Sequence, residues 1–243
     1  METAEELLSA RAVHKQFGAL QVLDRVDFSV HRGDAIGIVG PNGAGKTTLL
    51  SVLAGALVPS AGSVAFRGQD VTRLGSAERC SLGIARTHQI PRPFSGMTVF
   101  ENVLAAALHG GRFGRDEAYE RSIDTLQLCG MFKLANRRAE TLGLLDRKRL
   151  ELTRALATDP VVLLLDEIGG GLTDGEAAEL IETIRVLHRR GIAIVWIEHI
   201  VHVLVQIATR LVCLDAGRVI ADGVPEAVLS DATVVDAYLG GGR

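Results

Sequence analysis

Nine consecutive residues, Gly40-Pro41-Asn42-Gly43-Ala44-Gly45-Lys46-Thr47-Thr48, hold the densest chemistry in the chain. Gly40, Gly45, Lys46 and Thr47 fit the spacing G-x-x-x-x-G-K-[ST]. Glycines let the backbone wrap a polyphosphate closely, so that the N–H groups of Asn42 to Thr48 converge on it at the positive end of a helix. Lys46 supplies a mobile positive charge for the outer phosphate oxygens, and the Thr47 hydroxyl is a ligand type that Mg²⁺ accepts. A glycine-rich turn without a ligand would have no use for the lysine.

A second set of polar residues stands at the ends of apolar runs. VVLLLDE, Val161 to Glu167, reads as a buried strand that delivers Asp166 to its C-terminal end, where ligands bind in open α/β sheets. Asp166 can orient Mg²⁺ through water. Glu167, expected to point the other way on the strand, can take a proton from an attacking water. Gln89 follows LGIART and can hold a water or a metal, and His199 follows IVWIE and can donate to a terminal phosphate. His199 and His202 alone do not make a metal site, since three-residue spacing without a third ligand is too little.

These residues need elements that hold them in place. The run Ala35 to Val39 is apolar throughout and enters the glycine loop, after which a helix is expected. VLDRVDFSV and GSVAFRGQD read as strands, with a turn at His31 to Asp34, and the region from Leu7 to about Gln89 is expected to hold strands and one helix. Thr98 with Glu101 and Thr173 with Glu176 form T-x-x-E capping boxes, predicting helices through Leu108 and from Asp174 to Arg190. A further helix is predicted from Asp116 to Leu128, and another from Arg147, where Asp146 suits an N-cap. IAIVWI and RLVCLD complete the strands. The order implies an α/β fold with a parallel sheet core, interrupted by helices. We read 1–243 as one domain, with a core and β subdomain at 1–90 and 158–243 and an inserted helical subdomain at 91–157.

Composition excludes several classes. The chain has 243 residues, 47% of them hydrophobic, which suffices for a sizeable core. No apolar run approaches the length of a bilayer span. The acidic opening METAEELL is unlike a secretory signal, so a cytoplasmic chain is expected. Cys80, Cys129 and Cys213 are widely spaced with no C-x-x-C pair, which suggests neither a disulfide framework nor a zinc site. A formal charge of -3 does not advertise nucleic acid as a partner. The basic clusters at Arg147 to Arg149 and His188 to Arg190 suit solvated helix faces.

With these residues in view, the chain resembles ABC-type ATPase subunits, specifically those of the branched-chain amino-acid class of importers, from about Leu8 to Gly240. The resemblance is carried by GPNGAGKTT, ARTHQIPRPFSGMTVFENV, ELTRALATDPVVLLLDE, IEH at Ile197 to His199, and LDAGRVIADGVPEAV. It implies a P-loop NTPase fold of RecA-like type with an antiparallel β subdomain, binding ATP and Mg²⁺. Phe17 would stack on adenine, Gln89 would touch Mg²⁺ and the attacking water, Glu167 would be the catalytic base, and His199 would sense the γ-phosphate. The implied partners are integral-membrane permease subunits at the inner face of the membrane, a second ATPase subunit bound head to tail, and, indirectly, a solute-binding protein.

The sequence departs from the family where a signature loop, usually LSGGQ, would meet the partner's ATP. Here Leu142-Gly143-Leu144-Leu145-Asp146 stands in its place. Leu145 adds bulk where glycine is usual, and Asp146 sets a negative charge beside amides meant for an anion, so the site this loop completes is expected to be weak. Losing one preorganised donor from such a site costs roughly 10²- to 10³-fold in rate. Ile168, Gly169 to Gly171, Thr173-Asp174 and Ile200 also differ from the usual residues. They leave open a second reading, a nucleotide-gated regulatory subunit with little turnover.

Overall fold

The computed structural model describes residues 5–239. The first four residues of METAEELL, and Gly240 at the end of the resemblance, lie outside the described residues. The chain forms two compact units, one from 1–76 with 193–243 and the other from 77–192.

In the first unit, β1 (Glu6–Phe17) and β2 (Leu20–His31) form an antiparallel hairpin, followed by β3 (Ala35–Val39) and α1 (Lys46–Leu53). Then come β4 (Ala61–Phe66) and β5 (Gln69–Asp70). GSVAFRGQD is thus two strands rather than one, turned at Arg67-Gly68, and the sheet runs β2-β1-β4-β5. All five residues of β3 are buried. Burying each of its Ile and Val side chains is worth about 1.5–3 kcal/mol.

Next comes α2 (Ser76–Leu82), all but its first residue in the second unit, so the region before Gln89 holds two helices, not one. The short SAERCSL run shows too few turns for its apolar spacing to announce it. β6 (Ile84–Arg86) follows, then α3 (Val99–His109), α4 (Arg115–Leu128) and α5 (Leu144–Ala157), with short 3₁₀ turns at Phe132–Leu134 and Ala139–Thr141. β7 (Val162–Asp166) pairs in parallel with β6, and α6 (Asp174–Arg189) closes the unit. Both capping boxes form: Thr98 and Thr173 each accept from the backbone of Glu101 and Glu176, and those carboxylates accept from the Thr98 and Thr173 amides.

The chain returns to the first unit through β8 (Ala193–Ile197), α7 (Val201–Leu204), β9 (Arg210–Asp215) and β10 (Arg218–Gly223). β3 lies between β8 and β9, parallel to both, and β10 runs antiparallel to β9. Two helices end the described chain, α8 (Pro225–Ser230) and α9 (Ala232–Leu239). Among the described residues, no helix is long and apolar enough to cross a membrane.

Candidate functional site

The residues that chemistry singled out fall in both units. In the first unit the glycine loop leaves the buried end of β3 and enters α1. Gly40 sits at φ +140°, and a Cβ there would stand 2.0 Å from the Leu214 carbonyl oxygen of β9. Gly45, the N-cap of α1, is likewise closed to a side chain, since its Cβ would lie 2.8 Å from the Val22 oxygen. Neither position can take a side chain without displacing neighbouring backbone, which is why glycine stands at both.

The first intrahelical bond of α1 runs from the Leu49 amide to the Gly45 oxygen at 2.8 Å. Lys46, Thr47 and Thr48 thus carry the N–H groups that a helix leaves outside its own ladder. Lys46 is only 6% exposed, and its ammonium donates to the carbonyls of Gly40 (2.6 Å) and Pro41 (2.9 Å). The lysine is folded back over the loop. Asn42 and Gly43 are exposed at the loop's crest, and Ala44 is buried beneath it, its amide bonded to the Pro41 oxygen at 3.2 Å.

His199 is exposed just past the end of β8. Because Ile38 of β3 faces Ile197 of β8 in parallel register, Gly40 and His199 leave the same edge of the sheet, each two residues on. Glu198 beside it is buried and accepts from the Trp196 indole at 3.2 Å, which anchors the strand end that carries the histidine. Phe17 closes β1 with its ring half exposed, the Lys15 ammonium 5.1 Å from its centre.

One partner of the loop lay beyond sequence reasoning. The Gly40 amide donates to the Tyr238 hydroxyl of α9 at 2.7 Å, across 198 positions of sequence. Burial pushes this phenol up from its ordinary value. No local pattern could have announced the contact.

In the second unit, register carries Gln89 to Glu167. Arg86 of β6 faces Leu164 of β7, so the residues three further along each strand leave side by side, and the Gln89 amide donates to the Glu167 carboxylate at 2.5 Å. Asp166 ends β7 only 2% exposed. Its carboxylate is held by Arg86 at 2.6 Å, side chain to side chain. Arg86 was also missed, although an arginine inside the apolar run LGIART was a signal that a buried acid waits for it.

Glu167 does not continue the strand as expected from alternation. It adopts φ +47°, the left-handed region, so its direction is set by a turn rather than by the pleat. A non-glycine residue there costs of order 1–3 kcal/mol, as at six other positions of the described chain. The Lys148 ammonium, buried on α5, donates to the Glu167 carbonyl at 3.3 Å and helps hold that turn.

The Leu142 to Asp146 stretch also differs from the reading made above. α5 starts at Leu144, three residues before Arg147, with Gly143 as N-cap and no side-chain cap. Asp146 is therefore not the cap. It lies in the first turn, where it still complements the helix dipole, 3.9 Å from Arg149. Leu142 is buried while Leu144 is 48% exposed. An acid and an exposed leucine thus occupy the turn whose amides an anion would need.

In the first unit the Thr47 hydroxyl, and in the second the Asp166 carboxylate and the Gln89 side-chain oxygen, are hard donors of the kind Mg²⁺ takes in preference to a softer ion. The glycine cradle with its buried lysine fits a polyphosphate.

Against known proteins, the chain matches the family described as ABC transporter over residues 23–169. Residues 218–243 match the family described as branched-chain amino acid ATP-binding cassette transporter. It is 33% identical to the high-affinity branched-chain amino acid transport ATP-binding protein LivG of Escherichia coli K12, over 98% of this chain and 99% of that one. It is also 33% identical to the probable branched-chain amino acid transport ATP-binding protein LivG of Methanocaldococcus jannaschii, over 99% and 100%. Among solved structures, a nucleotide-free ATP-binding cassette from an ABC transporter superposes with a TM-score of 0.88 at 32% identity, covering 96% of this chain and 98% of that one. A cassette in its ADP conformation gives the same score and identity over 97% and 99%.

Proposed function

The chain belongs to the ABC transporter ATP-binding family, and on that premise we propose that it hydrolyses ATP to power an importer of branched-chain amino acids or solutes like them. The observation that carries the solute class is the end-to-end similarity to LivG proteins, whose names describe branched-chain amino acid transport, extended by the match at residues 218–243.

In this reading the chain's residues divide the work as follows. Phe17 stacks on adenine. The amides of Asn42 to Thr48 receive the phosphates, and Lys46 leaves the Gly40 and Pro41 carbonyls for phosphate oxygens. Thr47, Gln89 and, through water, Asp166 would hold Mg²⁺, which would supply positive charge against the phosphates. Glu167 takes a proton from the attacking water as its oxygen bonds to the γ phosphorus and the bond to the bridging oxygen breaks, leaving ADP and phosphate. His199 donates to the γ-phosphate. Gln89 holds the Glu167 carboxylate in the structure and must yield it to the water.

The partners are integral-membrane permease subunits and a second ATPase subunit, with the chain placed on the inner face of the membrane. Because Asp146 and Leu144 occupy the first turn of α5, the ATP that this turn faces in a head-to-tail dimer is poorly served. The productive site is this chain's own phosphate loop, completed by a partner with an intact signature. In reconstituted membranes holding both ATPase subunits and the permease, ATP turnover is expected, and Glu167→Gln abolishes it. Robust turnover by this chain alone as a homodimer would contradict the weak signature.

The same turn supports a second reading, a subunit gated by nucleotide without turnover. It is opposed by the presence of Glu167 and His199 together, which a chain without hydrolysis has little reason to keep. ATP unchanged after hours with every partner supplied would favour it.

A further inference from the structure

Gly40 is gripped at both ends of its own residue. Its carbonyl accepts from Lys46 at 2.6 Å, and its amide donates to the Tyr238 hydroxyl at 2.7 Å. The two bonds differ in what becomes of them. The lysine must abandon the Gly40 carbonyl to reach a phosphate, whereas the Gly40 amide points to the tyrosine and away from that exchange. The loop's first residue is also boxed in by the Leu214 carbonyl, so it tolerates little displacement.

The tyrosine is carried by α9, which packs through the buried Val234 within the same unit as the loop. From this geometry we infer that Tyr238 is a positioning residue for nucleotide binding: its hydroxyl holds the first peptide of the phosphate loop in place while Lys46 changes partners. The inference rests on the reading that the loop binds nucleotide. It gives the C-terminal helix a task in the ATP site that no motif around the loop reveals.

The hydroxyl acts through Gly40 and touches no phosphate; once Lys46 has left the Gly40 carbonyl, the Tyr238 hydroxyl is a grip that remains on that peptide, so its loss costs the bound loop more than the free one without removing a catalytic group. In the assembled transporter the KM for ATP therefore rises while kcat holds. One neutral hydrogen bond corresponds to roughly a 3- to 10-fold change in affinity.

The test compares the full-length wild type with Tyr238→Phe and Tyr238→Ala by titration with a fluorescent ADP analogue. Thermal unfolding and amide exchange at Gly40, followed by NMR, accompany each titration. Expected for Tyr238→Phe are a roughly 3- to 10-fold weaker affinity, faster exchange of the Gly40 amide, and a thermal midpoint within about 4 °C of the wild type. Wild-type affinity in Tyr238→Phe overturns the proposal. So does Phe restoring what Ala loses, because ring packing alone would then suffice. Failure of the wild type to bind the analogue sinks the nucleotide reading instead, and the exchange rate at Gly40 still decides whether the hydroxyl holds that peptide.

Discussion

Replacing Gly40 by alanine tests the account of the phosphate loop most directly. The added Cβ would lie 2.0 Å from the Leu214 oxygen, where a carbon needs about 3.3 Å. Something must therefore move by about 1.3 Å. Leu214 cannot yield cheaply, because β9 is paired on one side with β3 and on the other with β10, and Leu214 itself is fully buried. The loop has to shift, and φ +140° must be held by a residue with a side chain. Backbone strain costs about 1–3 kcal/mol and overpacking about 1–3 kcal/mol more. A combined loss near 4 kcal/mol lowers the thermal midpoint by about 8–16 °C in a chain of this size. Gly33→Ala is the matched control. Gly33 has φ +81° with nothing within 4 Å of a Cβ, so it incurs the backbone cost alone. Urea unfolding of both variants without nucleotide measures the difference. If the two lose equal stability, the clash with Leu214 is not what closes this loop, and the reasoning fails.

Other outcomes follow from single contacts. Arg86→Met breaks an ion pair whose side chains are 10% and 4% exposed, so urea unfolding is expected to show a loss of about 3–5 kcal/mol. A loss under about 1 kcal/mol would mean that Asp166 is held without it. Thr98→Ala removes the capping hydroxyl of α3 and lowers stability by about 1 kcal/mol at neutral pH. The Thr98 amide and hydroxyl hold Glu101 below its ordinary range. That stability is present above the usual glutamate range and is lost as pH falls through the depressed value, so the box weakens in acid; the gap between melts of Thr98→Ala and wild type should narrow there without closing, because the Thr98 hydroxyl still accepts from the Glu101 backbone amide. Burial pushes the Cys129 thiol up from 9.0 to about 11. Its folded form keeps the proton that the unfolded chain gives up first, so stability falls as pH rises from about 9 to about 11. Cys129→Ala should flatten that decline, and an unchanged slope would refute the assignment.

The strands of the core were plain in the sequence because each is a short apolar run with a turn at either end. Ala35–Val39 and Arg210–Asp215 begin and end where those runs do. The helices α3 and α6 were equally plain, since Thr and Glu three apart fix a helix start within one turn. Less legible were features settled by distant contacts or by an uncapped turn. α5 begins at Leu144 because Gly143 takes extended geometry there, while the eye is drawn to Asp146 as the better capping residue. The alternation of VVLLLDE foretold the place of Glu167 in the chain but not its left-handed backbone. Arg86 opposite Asp166 and Tyr238 at Gly40 join residues 80 and 198 positions apart; the arginine in LGIART signals a buried acid without saying which, and nothing near Tyr238 points to Gly40.

The first unit is discontinuous, and this shapes how the protein is made. β3 emerges from the ribosome roughly 160 residues before Ile194, the strand partner of Ala35. At about 5–20 residues per second the delay is roughly 10–30 s. Throughout it the apolar ribbon Ala35 to Val39 lacks both neighbouring strands, although β1, β2 and β4 can already pair beside it. The phosphate loop hangs from that ribbon and cannot take its final shape until β9 arrives to wall off Gly40. Nucleotide therefore has no finished loop to meet during synthesis. The window before β8 and β9 are made is also when the nascent chain most needs protection from pairing with another copy of itself.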